Sequence, residues 1–482
     1  MSYKVLVVGT GPAGFGLLEA IHNKKNISVT IVDNAELPNK KNELVDYESC
    51  VFSNNKFSGN RMGSFHSIID NESIILKDDY PKISKAFGGF SNVWGGTVDF
   101  PSDKLNNYFL DNKINLDDSI KYFDNLLQKV AKGKSSLSNI NLIKDLKGLS
   151  KFRENFDKTN YFSSKHSTTA INNNIVGLLR DKSICKFCKS FNWACQSSTI
   201  WDTKNSLRSF LELKNISYIE KTKILSIKEK NGLVECTLKK ENSQYVEKFN
   251  KVFLGAGAIS TSIVMLNSDI VSQVEIKSSD LIQIPFFKLF HTGLKNESFT
   301  DLFANYDDDS NSFFIQIYFF SKSVLMLSSN IIKFIKFIKF IPNVLLGFFG
   351  GIFLYLNEDD SSSLVINKDS NGLAIGTKNL NIENKKTNLK KLNKALKSNS
   401  IYPLSILQKE YLYGTSNHLG GQFFHNNLNK YKNSSDREGR IRNLKNVHIV
   451  DSSVLPYIDA GPLTFIMMCN SYRIGKESLK DI

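Results

Sequence analysis

The residues best placed for chemistry open the chain. Gly9-Thr10-Gly11-Pro12-Ala13-Gly14 follows a short apolar run over 4–8 and precedes a helical stretch, and Asp33 closes a second apolar run over 27–32. A G-x-G-x-x-G turn is informative only in such a strand, turn and helix setting. Gly9 permits the sharp turn, Gly11 leaves room for a pyrophosphate, and Gly14 lets helix and strand approach closely. The first helical turn, at Pro12 and Ala13, brings free N–H groups and the positive end of the helix dipole to phosphate. Asp33 stands where a carboxylate accepts from a ribose hydroxyl. This is dinucleotide chemistry, with a ligand-free glycine turn as the plainer alternative, and it does not separate nicotinamide from flavin.

A second glycine-rich loop over 87–96 sets Gly88, Gly89, Gly95 and Gly96 around the polar pair Ser91 and Asn92. Such a backbone suits close wrapping against a flat ligand, a flavin ring with its ribityl chain, while an ordinary surface loop is the alternative. No second G-x-G-x-x-G offers a nicotinamide site.

The elements that must position these groups follow from hydrophobic periodicity. Strands are expected over 4–8, 27–32, 222–230, 234–239, 245–251, 252–255, 313–320 and 447–450. Helices are expected over 15–22 and 463–476, with surface helices between 105 and 150. A chain of 482 residues exceeds one hydrophobic core, so two domains are expected.

The order of motifs resembles the glucose-methanol-choline (GMC) oxidoreductases. It rests on the glycine turn, the Gly-Gly-x-Ser-x-x-Trp-Gly-Gly loop at 88–96, the strand opening into Ala256-Gly257-Ala258, and the run 446–456 that contains Asp451 and Pro456. The resemblance implies an α/β protein: a Rossmann-like FAD-binding domain in three-layer ββα form, interleaved with an α+β substrate domain on an antiparallel sheet. It assigns 1–100, 200–279 and 440–482 to the first domain, and 101–199 and 280–439 to the second, with an apolar insertion at 322–356. FAD is expected to be non-covalent, because Val93 stands where some relatives carry a flavin-linking histidine. Ala256 and Asp451 are implied at the cofactor, and Pro462 and Leu463 open a final helix toward the flavin N1 and O2 edge. A helix N-terminus there stabilises the anion formed on reduction.

Alcohol oxidation by a flavin needs a base for the hydroxyl proton while hydride leaves carbon for N5, and histidine is the common choice. The run 416–421 resembles the family's segment bearing the active-site histidine, which makes His418 the candidate and His425 the reserve. The family pairs that histidine with a second His or Asn just before a proline, but Gly461 precedes Pro462 here. Asp459, Tyr457 or water would then take the partner's place. The expected activity is FAD-dependent oxidation of an alcohol or sugar CH–OH. The alternatives are a membrane-surface flavoprotein in electron transfer or binding, and an NAD(P)H-dependent flavoenzyme. Nothing in the sequence names the electron acceptor.

Cys185, Cys188 and Cys195 lack a fourth nearby thiol, so a structural turn is favoured over a cluster and no metal is expected. Cys50, Cys236 and Cys469 read as core packing. Lysines 333, 336 and 339 fall on one arc of a basic amphipathic helix over 331–340, and the apolar run 344–356 is too short to span a bilayer. An interfacial hairpin or lid over 331–356 would bring peripheral membrane contact and a lipid-linked donor, whereas a helix packed on the substrate sheet would not. The net charge of +15 comes without a basic and aromatic cluster, so nucleic acid is not an expected partner. A strand-like start without a signal-peptide pattern, together with the scattered thiols, suggests the cytoplasm, at the inner membrane face if the hairpin is interfacial.

Overall fold

The computed structural model describes residues 2–37, 83–92, 94, 97–98, 102–130, 176–177, 201–289, 302–308, 311–318, 348–369, 372–378, 382–398, 400–414, 416–426, 433–441 and 444–482. Strand β1 (Tyr3–Val8), helix α1 (Pro12–Ile21) and strand β2 (Ile27–Val32) form the expected opening unit. The helix starts three residues earlier than its periodicity suggested, because Pro12 has the fixed φ and missing N–H that suit a first helical position. Then come β3 (Thr97–Val98), α2 (Asp103–Asp111), α3 (Asp117–Val130), β4 (Val176–Gly177), α4 (Thr203–Leu207) and β5 (Ile216–Ile219).

A meander of β6 (Thr222–Lys230), β7 (Leu233–Lys240) and β8 (Ser243–Phe249) leads to β9 (Lys251–Leu254) and α5 (Ala258–Asn267). The strand expected over 245–251 ends early because Asn250 turns aside. Its side-chain oxygen accepts from Lys4 N at 2.8 Å and its N–H donates to Lys4 O at 2.9 Å. The chain continues through β10 (Gln273–Ser278), β11 (Leu281–Lys288), β12 (Leu302–Asp308), β13 (Asn311–Tyr318) and β14 (Phe349–Leu356). The last stretch holds β15 (Ser363–Asp369), β16 (Gly372–Lys378), α6 (Ile382–Ser398), β17 (Ile401–Pro403), β18 (Lys409–Tyr411), β19 (Leu419–Gly420), β20 (Val447–Ile449) and α7 (Thr464–Ser478).

The result is a mixed α/β protein built on several sheets. A parallel five-stranded sheet has the order β20-β9-β1-β2-β5. Val5, Leu6, Val7, Val252, Phe253 and Leu254 are fully buried, so this sheet is covered on both faces. Helices α1 and α7 pack on each other, and the meander packs against β1, β2 and β9. The two helices touch backbone to backbone: a Cβ at Gly16 would stand 2.5 Å from Met468 O, and Ser471 Oγ donates to Ala13 O at 2.6 Å. Helix α3 adds an outer layer through Tyr122, whose ring stacks on Tyr472 at 4.4 Å.

An antiparallel sheet, β16-β15-β10-β19, extends this body. Leu364, Ile366 and Leu373 from β15 and β16, strands expected with the substrate sheet, join Val274, Ile276 and the parallel-sheet residues in one core. Only Ser279 and Asp280 separate β10 from β11, which belongs to a different sheet. The Asp280 carboxylate braces this elbow, accepting at 2.8 Å from Ser278 Oγ, Ser362 N and Ser362 Oγ.

The six-stranded sheet has the order β12-β13-β14-β11-β17, with β18 also on β11. Residues directly opposite on neighbouring strands share a face. Register therefore puts Gln283, Gln316, Tyr318, Phe353, Tyr355 and Tyr411 on one side. Ile282, Ile284, Phe286, Ile315, Ile317 and Leu354 lie on the other, all of them buried. Helix α6 packs against β13 and β17 with Leu392 and Leu396 fully buried.

The expectation for 344–356 is corrected where the structure describes it. Phe349–Leu356 is neither an interfacial hairpin nor a helix but an inner strand, paired with β13 and β11. A strand buried on both faces reads as a continuous apolar run. A Cβ at Gly350 would collide with the Phe286 ring and Tyr318 O, so the glycine serves close packing. The basic stretch 331–340 lies outside the described residues. Among the described residues, no helix is long and apolar enough to cross a membrane.

Candidate functional site

The first glycine turn is built around backbone approach. Gly9 has φ +98°, and a Cβ there would run into Gly255 O at the end of β9. A Cβ on Gly14 would strike Gly9 O. Gly11 differs from both, because a Cβ there would meet nothing within 4 Å. Open space therefore lies over the start of α1, where Gly11 provides no side-chain cap and no acidic residue sits in the first turn. Uncapped N–H groups beside a cradle of that kind fit a pyrophosphate.

Asp33 holds this turn in place. Its Oδ2 accepts from Thr10 N at 2.7 Å and Thr10 Oγ1 at 2.6 Å, and its Oδ1 accepts from Ala35 N at 2.9 Å. Burial pushes its carboxyl above the ordinary value, against those hydrogen bonds. Thr10 Oγ1 in turn accepts from Gly88 N at 2.9 Å, which brings the second glycine loop onto the first.

In that loop Gly88 and Gly89 have positive φ, and a Cβ on Gly89 would stand 3.3 Å from Gly11 Cα. Ser91 and Asn92 turn inward. Ser91 Oγ donates to Gly88 O at 2.6 Å, and Asn92 Nδ2 reaches Phe87 O at 2.9 Å and Gly89 O at 2.7 Å. Their side chains fold the loop, which leaves the Gly89 backbone against Gly11. Thr203, at the start of α4, completes the junction with its Oγ1 2.9 Å from Gly88 O and 3.1 Å from Thr10 O. Gly95 and Gly96 lie outside the described residues, as do Val93, Cys50, Cys185, Cys188 and Cys195.

Ala256 and Gly257 lead from β9 into α5. Asp451 fastens that helix start to the last strand: its Oδ2 accepts from Gly257 N at 2.9 Å and Thr261 Oγ1 at 2.5 Å, its Oδ1 from Ser453 N at 3.0 Å. Burial raises its carboxyl, with the hydrogen bonds opposing. Pro462 and Leu463 stand at the start of α7, which has neither a side-chain cap nor an acid in its first turn. That helix start remains available to a partial negative charge.

His418 precedes β19, with its carbonyl accepting from Ser279 N at 3.0 Å, and its ring reaches the six-stranded sheet. Its imidazole stacks on Tyr355, with centroids 5.0 Å apart and planes 17° from parallel. Tyr355 also packs beside Phe314 and Ala460, the latter in the turn that leads into α7. Burial alone pushes the His418 imidazole down to about 4, so it is neutral at pH 7. Its Nδ1 is buried without a partner. The segment that follows is tied down by Ser452 Oγ, which donates to Leu419 O at 2.6 Å, and by Gln422 Nε2, which reaches Ala258 O and Ser453 Oγ at 2.8 Å each. Thr203, Tyr355 and Gln422 carry no motif, and only their long-range contacts mark them.

The reserve and partner candidates are engaged elsewhere. His425 has Nδ1 2.6 Å from Asp436 O and Nε2 3.0 Å from Asn470 Nδ2. With both ring nitrogens held, it is a core histidine. Asp459 accepts from Ser102 Oγ at 2.9 Å, and Tyr457 donates to Asp359 at 3.2 Å. Among the described residues, no group of His, Cys, Asp and Glu is arranged to hold a metal, and Cys236 and Cys469 are buried free thiols.

With this geometry in place, the solved structures provide a match. The chain is similar to pyridoxine 4-oxidase from Mesorbium loti, with a TM-score of 0.59 over 99% of each chain at 10% sequence identity. The likeness establishes a shared fold. At that identity it reaches no further than the fold, which here spans both chains almost end to end. No family model and no curated protein matches the sequence.

Proposed function

We propose that this chain is an FAD-dependent oxidoreductase acting on CH–OH groups. The observation that carries the reading is the His418 imidazole stacked on Tyr355, which itself packs beside Ala460 in the turn leading into the uncapped start of α7. The cradle over Gly11, the order of motifs that resembles GMC oxidoreductases, and the fold shared with an enzyme named as a pyridoxine oxidase all support it.

The glycine turn at 9–14 would hold the pyrophosphate, the Gly88 and Gly89 loop would lie along the ribityl side, and Leu463 would bring helix N–H groups to the ring. FAD bound there supplies an acceptor for the hydride of the alcohol carbon. His418 takes the hydroxyl proton on its imidazole, which burial keeps unprotonated. The sheet face on which Tyr411 donates to Gln283 at 3.2 Å and Tyr318 to Gln316 at 2.9 Å would line the donor's side with paired amide and phenol groups, suited to an alcohol or a sugar.

Gly461 supports a second reading, a flavoprotein that transfers electrons without oxidising alcohols, since neither Asp459 nor Tyr457 replaces the family's partner. One experiment separates the two. The purified protein should show flavin absorption bands and release FAD on denaturation. A panel of benzyl alcohol, hexanol, glucose and pyridoxine is then mixed anaerobically with it. Bleaching of the flavin by a panel member in wild type but not in His418→Ala, with equal FAD content, is the expected result. Equal bleaching in both proteins would remove His418 as the base.

A further inference from the structure

A catalytic imidazole must present one nitrogen in a fixed direction, and the usual means is a hydrogen bond to the other nitrogen. The two buried core histidines follow that rule: His425 Nδ1 lies 2.6 Å from Asp436 O and His448 Nδ1 lies 2.8 Å from Glu438 O. His418 departs from it, for its Nδ1 is buried and has no partner. The two nearby polar side chains that could have replaced a partner at position 461, Asp459 and Tyr457, are bound to Ser102 and Asp359.

What does touch the ring is Tyr355, nearly parallel to it at 17° and 5.0 Å between centroids. Tyr355 is itself firmly held. It stands on an inner strand, opposite Leu281 on β11 and Phe314 on β13, and Ala460 packs beside it. Its position is set by two strand registers, so a ring stacked on it inherits a defined plane. Aromatic rings near this separation favour offset stacking, a geometry that restricts rotation about the imidazole's χ2.

We propose that Tyr355 is the positioning residue for His418, its ring fixing the plane of the imidazole in place of the absent hydrogen-bond partner. The proposal rests on the reading of His418 as the base, and it deepens that reading by naming what aims it. The contribution is the face of the aromatic ring and not the phenol hydroxyl. The same ring covers one side of the imidazole against water. The titratable residues that register places on this side include Tyr318, Tyr355, Tyr402, Lys409 and Tyr411, and burial is the cause that lowers the imidazole.

The test compares Tyr355→Phe, which keeps the ring, with Tyr355→Leu and Tyr355→Met, which remove it. Two ring-less variants are used so that a folding failure in one leaves the comparison intact. Histidine Cε1 is labelled with carbon-13 in the FAD-loaded protein, and the His418 signal is assigned by its loss in His418→Ala. In wild type and Tyr355→Phe the signal should titrate near the buried value of about 4. In the ring-less variants the midpoint should climb toward the free-imidazole value of about 6.5. Using the panel member that bleaches wild type fastest, flavin reduction at saturation should slow about 100-fold in the ring-less variants, as expected of a misaimed base. It should stay near wild type in Tyr355→Phe. An unshifted titration in the ring-less variants, or a Phe variant as impaired as they are, overturns the proposal. If His418→Ala is reduced like wild type, the assignment of the base fails instead, and the titration still reports on the stack.

Discussion

At the scale of single residues, the two glycines that crowd backbone and the one that faces open space make opposite demands. Alanine at position 9 or 14 must displace backbone, whereas alanine at 11 has room, and its φ of −67° is ordinary for any residue. Gly11→Ala should therefore change the stability of the apoprotein by no more than about 0.5 kcal/mol, the range of a substitution that touches nothing. Its FAD affinity should fall at least about tenfold, because the added methyl occupies the cradle. Denaturant unfolding of apoprotein beside FAD titration reads both quantities, and unchanged affinity would take the pyrophosphate away from Gly11. Asp33 and Asp451 were legible as important from their places after strands. Their principal contacts were not, because a carboxylate that holds a turn and one that meets a ribose have the same local sequence.

At the scale of elements, the contact between α1 and α7 has no side chain to spare. Gly16 lies against the Met468 backbone, and Gly475 faces Leu17, Ala20 and Ile21. Gly16→Val should force these helices apart at a cost of about 1–3 kcal/mol, the usual range for overpacking. It should also weaken FAD binding, since both uncapped helix starts move; a variant with wild-type unfolding midpoint and cofactor content would contradict this. The opening βαβ unit and the β6 to β8 meander were readable because their periods, glycines and turns agree. Strand β14 was misread for a physical reason. Burial on both faces erases alternation, and a glycine that serves close packing, Gly350, looks like an interruption. The positions of Tyr355, Thr203 and Gln422 had no local signal at all, since each gains its role from partners distant in sequence.

At the scale of the whole molecule, three neutral histidines, two of them fully buried, shape acid stability. Burial holds His418 near about 4 and His425 and His448 near about 3. Folded values below the unfolded one mean that unfolding takes up protons, so the stability they contribute is present above pH 6.5 and is lost as pH falls toward the folded values. Burial raises the carboxyls of Asp33, Asp280, Asp451 and Glu358, whose contribution runs the other way. A difference experiment isolates one group. Between pH 6 and 4, wild type should lose about 1.4 kcal/mol per pH unit more than His448→Leu. Parallel stability curves would mean that His448 titrates normally. The braced elbow at Asp280 acts at this scale too. Strands β10 and β11 leave it in different sheets, and its carboxylate, bonded to Ser278 on one side and Ser362 on the other, ties this crossing to the neighbouring one between β14 and β15. On the proposed function, a doubly tied crossing here would help keep His418 and the glycine turn at one spacing through turnover, as between two jaws cast in one piece.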